Sequence, residues 1–257
     1  MDWIFLIAAT LCFLGGFLFA VGELRSDRHN PTLSNLIAHA LGLGLICGFL
    51  YVRGQLHMRC PITNGAEVLV FIAWSIVIMY FVLGKGFRLS LIGTFTAPIV
   101  LILLFVAILL ELKSPVVASP KEVLDPWLEL HMSVCLLAYG GLALAAVAGV
   151  MYLVQNKQLK SGTPGNLSFS LPPIRMLIRS QLQLLGIGLL LLSVGIVSAF
   201  FLREKSPTTL HLVILGSVWA FYALILLIYW WKRFSPRLLS VLSVVAFAFA
   251  LVTLSVL

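Results

Sequence analysis

The stretch from Leu89 to Leu110, LSLIGTFTAPIVLILLFVAILL, runs for 22 residues without an Asp, Glu, Lys or Arg. A helix of that length is ~33 Å long, and the hydrocarbon core of a bilayer is ~30 Å thick. The run is continuous and does not alternate in polarity, so it does not read as a strand. A helix satisfies its own backbone in lipid, and that decides the class. Seven more long apolar runs flank it. The predicted spans are 2–22, 33–52, 65–83, 89–110, 130–154, 180–201, 211–231 and 237–257. The expectation is an all-α bundle of eight transmembrane helices, residues 1–257 forming a single integral membrane domain.

Composition agrees. The chain is 61% hydrophobic and 10% charged, with a mean hydropathy of +1.10. A soluble domain is ~25% charged, so too few charges are present to cover a water-facing surface, and a soluble enzyme is excluded. Disorder is excluded as well, because disordered chains are poor in aliphatic residues. The four cysteines, Cys12, Cys47, Cys60 and Cys135, form no C-x-x-C pair. Neither a redox pair nor a zinc site is indicated.

The chain carries 17 Lys+Arg against 9 Asp+Glu, a net charge of +8. These basic residues fall between the predicted spans, where they read as topology signals and headgroup contacts, with no call for nucleic acid. The even-numbered loops hold Arg53, Arg59, Lys113, Lys121, Arg203 and Lys205, and the odd-numbered loops hold the other 11 of the 17. That bias puts the odd loops in the cytoplasm and both termini outside. The first run has Asp2 and no basic residue before it, so it does not read as a cleaved signal peptide. Pro120 to His131 is expected as a short helix on the membrane surface. The loop at 155–179, with Gly162, Pro164, Gly165, Pro172 and Pro173, is expected as a flexible connector.

No charged residue falls near the middle of a predicted span, which argues against an ion-coupled transporter. The titratable residue well inside one is His39, read either as a haem or metal ligand or as a neutral imidazole bonded to a neighbouring helix. His29 falls in a cytoplasmic loop. His57, His131 and His211 fall at the outer face. His131 shares a helix face with Cys135 and Tyr139, at i+4 and i+8. Asn64 and Glu67 have the spacing of a capping box at the start of the third helix; Glu67 is equally suited to a cationic partner or a pocket. Gly44 with Gly48, and Gly141, Ala145 and Gly149, read as close-packing faces. Trp3, Trp127, Trp230 and Trp231 suit the membrane interfaces, and Trp74 and Trp219 lie deeper, as packing.

Several segments, taken in order, resemble a known family. Arg59-Cys60-Pro61-Ile62-Thr63-Asn64-Gly65-Ala66-Glu67, followed by Phe71 and Trp74, resembles the loop-to-helix signature of the cytochrome c assembly proteins, the CcsA, CcmC and HemX group. Gly93 to Pro98 and Asp125-Pro126-Trp127-Leu128-Glu129-Leu130-His131 with Ala138-Tyr139 match further segments of the same pattern. The likeness runs from about 36 to 155. It implies a bacterial cytoplasmic (inner) membrane protein that handles haem, with His131 on the iron and His39, Trp127, Tyr139, Asn64 and Glu67 as further haem-site residues. An imidazole is a normal axial ligand. The sixth loop, Arg203-Glu204-Lys205-Ser206-Pro207-Thr208-Thr209-Leu210, lacks the Trp-rich motif of the haem-presenting members. The nearest resemblance is therefore to the HemX-type branch.

Two functions follow. One is a haem-handling accessory protein of cytochrome c assembly or haem homeostasis. The other is a structural or regulatory subunit that anchors cytochrome assembly or tetrapyrrole-synthesis partners without binding haem. No nucleophile–base pair, metal cluster or phosphate loop argues for an enzyme.

Overall fold

The computed structural model describes residues 2–25, 32–84, 89–113, 125–161, 173–202, 209–232 and 234–254. Among them are eight α-helices and no strand: α1 (Asp2–Arg25), α2 (Thr32–His57), α3 (Gly65–Gly84), α4 (Leu89–Lys113), α5 (Pro126–Lys160), α6 (Ile174–Ala199), α7 (Thr209–Lys232) and α8 (Pro236–Leu254). All eight are long and apolar enough to cross a membrane. The chain is an integral membrane protein of the class the apolar runs predict.

Several helices extend past the predicted spans. The longest, α5, has 35 residues, or ~52 Å at a helical rise, which exceeds the hydrocarbon thickness. Pro126 to His131 therefore form the first turns of α5, where a separate surface helix was expected. Residues 155–160 and 174–179, expected in a connector, are helical.

The chain divides into two compact units, residues 1–124 and 125–257. In the first, α1 packs against α2 and α4, and α3 packs against α4 and α2. Its largest buried side chains include Leu6, Phe13, Ile46, Phe49, Ile72, Ile76, Tyr80 and Leu104. In the second, α5 packs against α6 and α8, and α7 packs against both of these.

The reason lies in the sequence of α5. Residues 138–149 are buried without interruption, and the run alternates Gly and Ala with a few Leu and Val. Small residues let backbones approach closely, which is how helices gain contact in lipid, where the hydrophobic effect between them is absent. A Cβ on Gly141 would lie 3.7 Å from the Gly188 Cα of α6, and one on Gly149 would lie 2.9 Å from Gln181 Nε2 and 3.1 Å from the Ser240 carbonyl oxygen. The small-residue stripe of α5 is thus a packing face. The Gly44–Gly48 pair is only half so: Gly48 faces the Phe5 ring at 2.8 Å, whereas Gly44 faces open space and Gly42 takes the ring of Phe13.

Candidate functional site

The start of α5 is built by its cap. The Asp125 carboxylate accepts the Trp127 N–H at 3.0 Å, and Pro126 occupies the first turn, where its missing N–H costs nothing. The cap fixes where α5 begins and so which face Trp127, His131, Cys135 and Tyr139 share. His131 is 4% exposed. Its Nδ1 lies 2.7 Å from the carbonyl oxygen of Gly195 on α6. A carbonyl can only accept, so Nδ1 carries a proton, and in a neutral ring the lone pair is then on Nε2. The same carbonyl accepts the Ser198 hydroxyl at 2.7 Å. Cys135 Sγ lies 3.9 Å from His131 Nδ1, and a Cβ on Gly195 would run into that sulfur. Glycine is required there because α6 closes on the His131–Cys135 face.

One turn before His131, Trp127 stacks on Phe201 with ring centroids 4.9 Å apart and planes at 25°. Two turns after it, the Tyr139 hydroxyl donates to the Ala250 carbonyl of α8 at 3.3 Å. The buried Tyr222 hydroxyl of α7 has no hydrogen-bond partner among the described residues. In the second unit Trp127, His131 and Tyr139 thus follow one another along α5, and their partners include Gly195 and Phe201. Nothing in the sequence singled out these two, because their roles are a backbone carbonyl and a ring brought in by another helix.

In the first unit, His39 is 1% exposed. Its Nδ1–H donates to the Asn35 carbonyl at 2.8 Å, and the Asn35 amide donates to Thr94 Oγ1 at 2.7 Å. The ring lies edge-on to Phe13 (5.3 Å) and tilted against Tyr80 (4.7 Å). A Cβ on Gly93 would come within 3.2 Å of its Cε1. His39 Nε2 is buried with no hydrogen-bond partner among the described residues. Both readings of this residue survive in part: the imidazole is packed among neighbouring helices, yet one ring nitrogen keeps an unused lone pair.

The sequence reading missed the most highly charged feature of this unit. Arg53 was assigned to a loop; it lies inside α2 and is 2% exposed. Its Nε is 2.7 Å from Asp2 Oδ2 of α1, its Nη2 donates to Glu111 Oε1 of α4 at 2.8 Å, and its Nη1 is 3.6 Å from Glu67 Oε1 of α3. His57 Nε2 lies 3.4 Å from the same Glu67 oxygen. Charged groups are thus buried near the ends of these helices. His57, read as an interface histidine, belongs to this network.

Asn64 caps α3 through its side-chain oxygen, which accepts the Glu67 N–H at 2.8 Å. The reciprocal bond reaches one residue further back than a capping box would: Glu67 Oε2 accepts both the Thr63 N–H (2.8 Å) and the Thr63 hydroxyl (2.7 Å). Glu67 thus serves at once as cap partner and as ion-network member. His39 and His57 are 18 residues apart on one helix, ~27 Å by the helical rise, so His39 does not join Asn64 and Glu67 in one site. His29 lies outside the described residues, as does the His211 side chain. The four cysteines form no disulfide. Trp74 and Trp219 donate to Cys47 Sγ (3.2 Å) and Ser193 Oγ (2.8 Å), as packing residues do.

The fold and the site define a polytopic membrane protein with a buried imidazole one helical turn from an aromatic stack. More particularly, the chain belongs to the cytochrome c assembly protein family, whose pattern it matches over residues 62–257. It is 27% identical to Protein HemX of Bacillus subtilis (strain 168) over 184 residues, covering 71% of this chain and 58% of that one. It is 29% identical to the cytochrome c biogenesis protein CcsA of Trichormus variabilis over 115 residues, 41% of this chain and 32% of that one. Against the CcsA of Chlamydomonas reinhardtii it is 26% identical over 159 residues, 60% and 44% of the two chains. The chain thus spans little more than half the length of these relatives at most.

Proposed function

We propose that this protein is a haem-handling accessory factor of cytochrome c assembly or haem homeostasis, with His131 as the iron ligand. The observation that carries the reading is the 2.7 Å bond from His131 Nδ1–H to the Gly195 carbonyl. Histidines that ligate metals donate their other ring N–H to a carbonyl or carboxylate, which fixes the ring and raises the basicity of the ligating nitrogen. Membership of the family supports the same role. Haem bound there would take the imidazole as an axial ligand, and Trp127 and Tyr139 would line the site from the same helix face. His39 would serve a second site in the first unit. Asn64 and Glu67, whose polar atoms are engaged in the cap and the ion network, would organise the α3 end without touching haem. The protein's surroundings are the bilayer and, in this reading, other assembly or tetrapyrrole-synthesis proteins in a bacterial cytoplasmic membrane.

The test is the visible spectrum of protein purified from haem-replete cells. A Soret band is expected in the wild type, lost in His131→Ala and restored to that variant by added imidazole. A colourless wild-type protein that co-purifies with assembly or tetrapyrrole-synthesis proteins would replace this reading with the anchoring one. A reporter fused after Lys160 is expected to signal a cytoplasmic position; a periplasmic signal would invert the topology.

A further inference from the structure

The ion network of the first unit does not balance. Around the guanidinium of Arg53 stand the carboxylates of Asp2 from α1, Glu67 from α3 and Glu111 from α4, with the His57 ring of α2 against Glu67. Arg53 is permanently charged and cancels one of the three acids. The chain's amino end, one residue before Asp2 in the sequence, can cancel at most one more. At least one negative charge is left over. Glu67 and Glu111 have side chains 0% and 1% exposed, and an uncompensated charge in so dry a place, at the end of a membrane span, is strongly unfavourable.

The hydrogen-bond inventory shows the same shortfall. Glu67 Oε1, Glu111 Oε2 and both ring nitrogens of His57 are buried with no hydrogen-bond partner among the described residues. Arg53 Nε, though 2.7 Å from Asp2 Oδ2, makes no aligned hydrogen bond among the described residues either, so this buried cation does not satisfy the two remaining carboxylate oxygens. No three His, Cys, Asp or Glu side chains among the described residues converge as a metal-ligand set. A proton requires neither such a set nor a cavity.

We propose that this network is a proton-binding site, in which His57, Glu67 and Glu111 share one proton beyond those of a neutral imidazole and charged carboxylates. Asp2 is not a seat for it, being the nearest carboxylate to Arg53 and 19% exposed at its side chain. The proton is linked to the loop before α3. Glu67 holds that loop through the Thr63 N–H and hydroxyl on Oε2, while Oε1 faces Arg53 and His57. With the proton on Glu67, loading the site changes the charge on the carboxylate that holds Thr63. This inference is independent of haem binding.

The experiment compares Glu111→Gln, Glu67→Gln and Arg53→Met with the wild type, each as the full chain in detergent at neutral pH. Infrared difference spectra on isotope-labelled protein report the C=O stretch of a protonated carboxylic acid, and 15N spectra report a doubly protonated His57 ring. The expected result is one of these two signals in the wild type and its loss or displacement in Glu67→Gln. Glu111→Gln, which removes a surplus negative charge while keeping shape, is expected to leave the melting temperature unchanged or raise it, and Arg53→Met to lower it. The proposal is overturned if neither signal is present. It is equally overturned if Glu111→Gln melts as low as Arg53→Met, which would mean the charges already balance. A melting temperature that rises on replacing choline by sodium at constant ionic strength, with no protonation signal, would make the missing cation an alkali metal and would also overturn it.

Discussion

The two units solve the problem of a polar group at the end of a membrane helix in opposite ways. In the first, Arg53 draws carboxylates from three other helices, and the charges are held by one another. In the second, the His131 Nδ1–H donates to a backbone carbonyl, with a sulfur and a hydroxyl nearby. The charge network depends on its cation, since removing Arg53 leaves buried carboxylates facing one another without compensation. A neutral imidazole bonded to a carbonyl can be lost for the price of one hydrogen bond. The first arrangement suits a fixed clasp between helices, and the second is the one to which the proposed function assigns a ligand.

That contrast can be broken at several points. Arg53→Met should have the largest effect, a loss of ~3–5 kcal/mol as in other broken buried ion pairs, seen as collapse of the melting transition in detergent. If it melts like the wild type, the clasp is not holding the helices. Gly195→Ala should come next. Its new Cβ meets Cys135 Sγ, an overpacking that costs ~1–3 kcal/mol, and Cys135→Ala in the same chain should recover most of the loss. A double variant no more stable than the single one would show that α6 and α5 do not close at this point.

His131→Ala should cost only about 1 kcal/mol in stability, the worth of one hydrogen bond, while abolishing the Soret band; a drop as deep as that of Arg53→Met would make the residue a structural one. The smallest effect is expected for Phe201→Ala, which removes the stack on Trp127. The lost stack is worth ~0.5–1.5 kcal/mol, read as a small fall in the melting temperature together with a red shift in tryptophan emission.

Much of this was readable beforehand from particular residues. The charge-free run at 89–110 and its seven counterparts placed every span, because length and apolarity are the conditions for crossing lipid. The Gly141–Ala145–Gly149 stripe announced the central packing helix, since only small side chains allow that approach. The i, i+4, i+8 spacing put His131, Cys135 and Tyr139 on one face before any neighbour was known. Arg53 shows where such reading fails. Near the end of an apolar run, an arginine that faces water and one that turns inward have the same sequence, and the positive-inside statistics count them alike. Glu67 was legible as a cap and invisible as a partner of Arg53, because its second oxygen answers to residues 14 positions before it in another helix.

Sequence by itself determined the solvent of this protein, the number of its helices among the described residues, and the faces they carry, since all three depend on local composition and the helical period. Only the tertiary structure decided which polar groups meet. Whether Arg53 finds three acids, or His131 finds the Gly195 carbonyl, depends on the rotation and offset of whole helices against one another, and a side chain's neighbours across a helix interface are not written in its own stretch of chain.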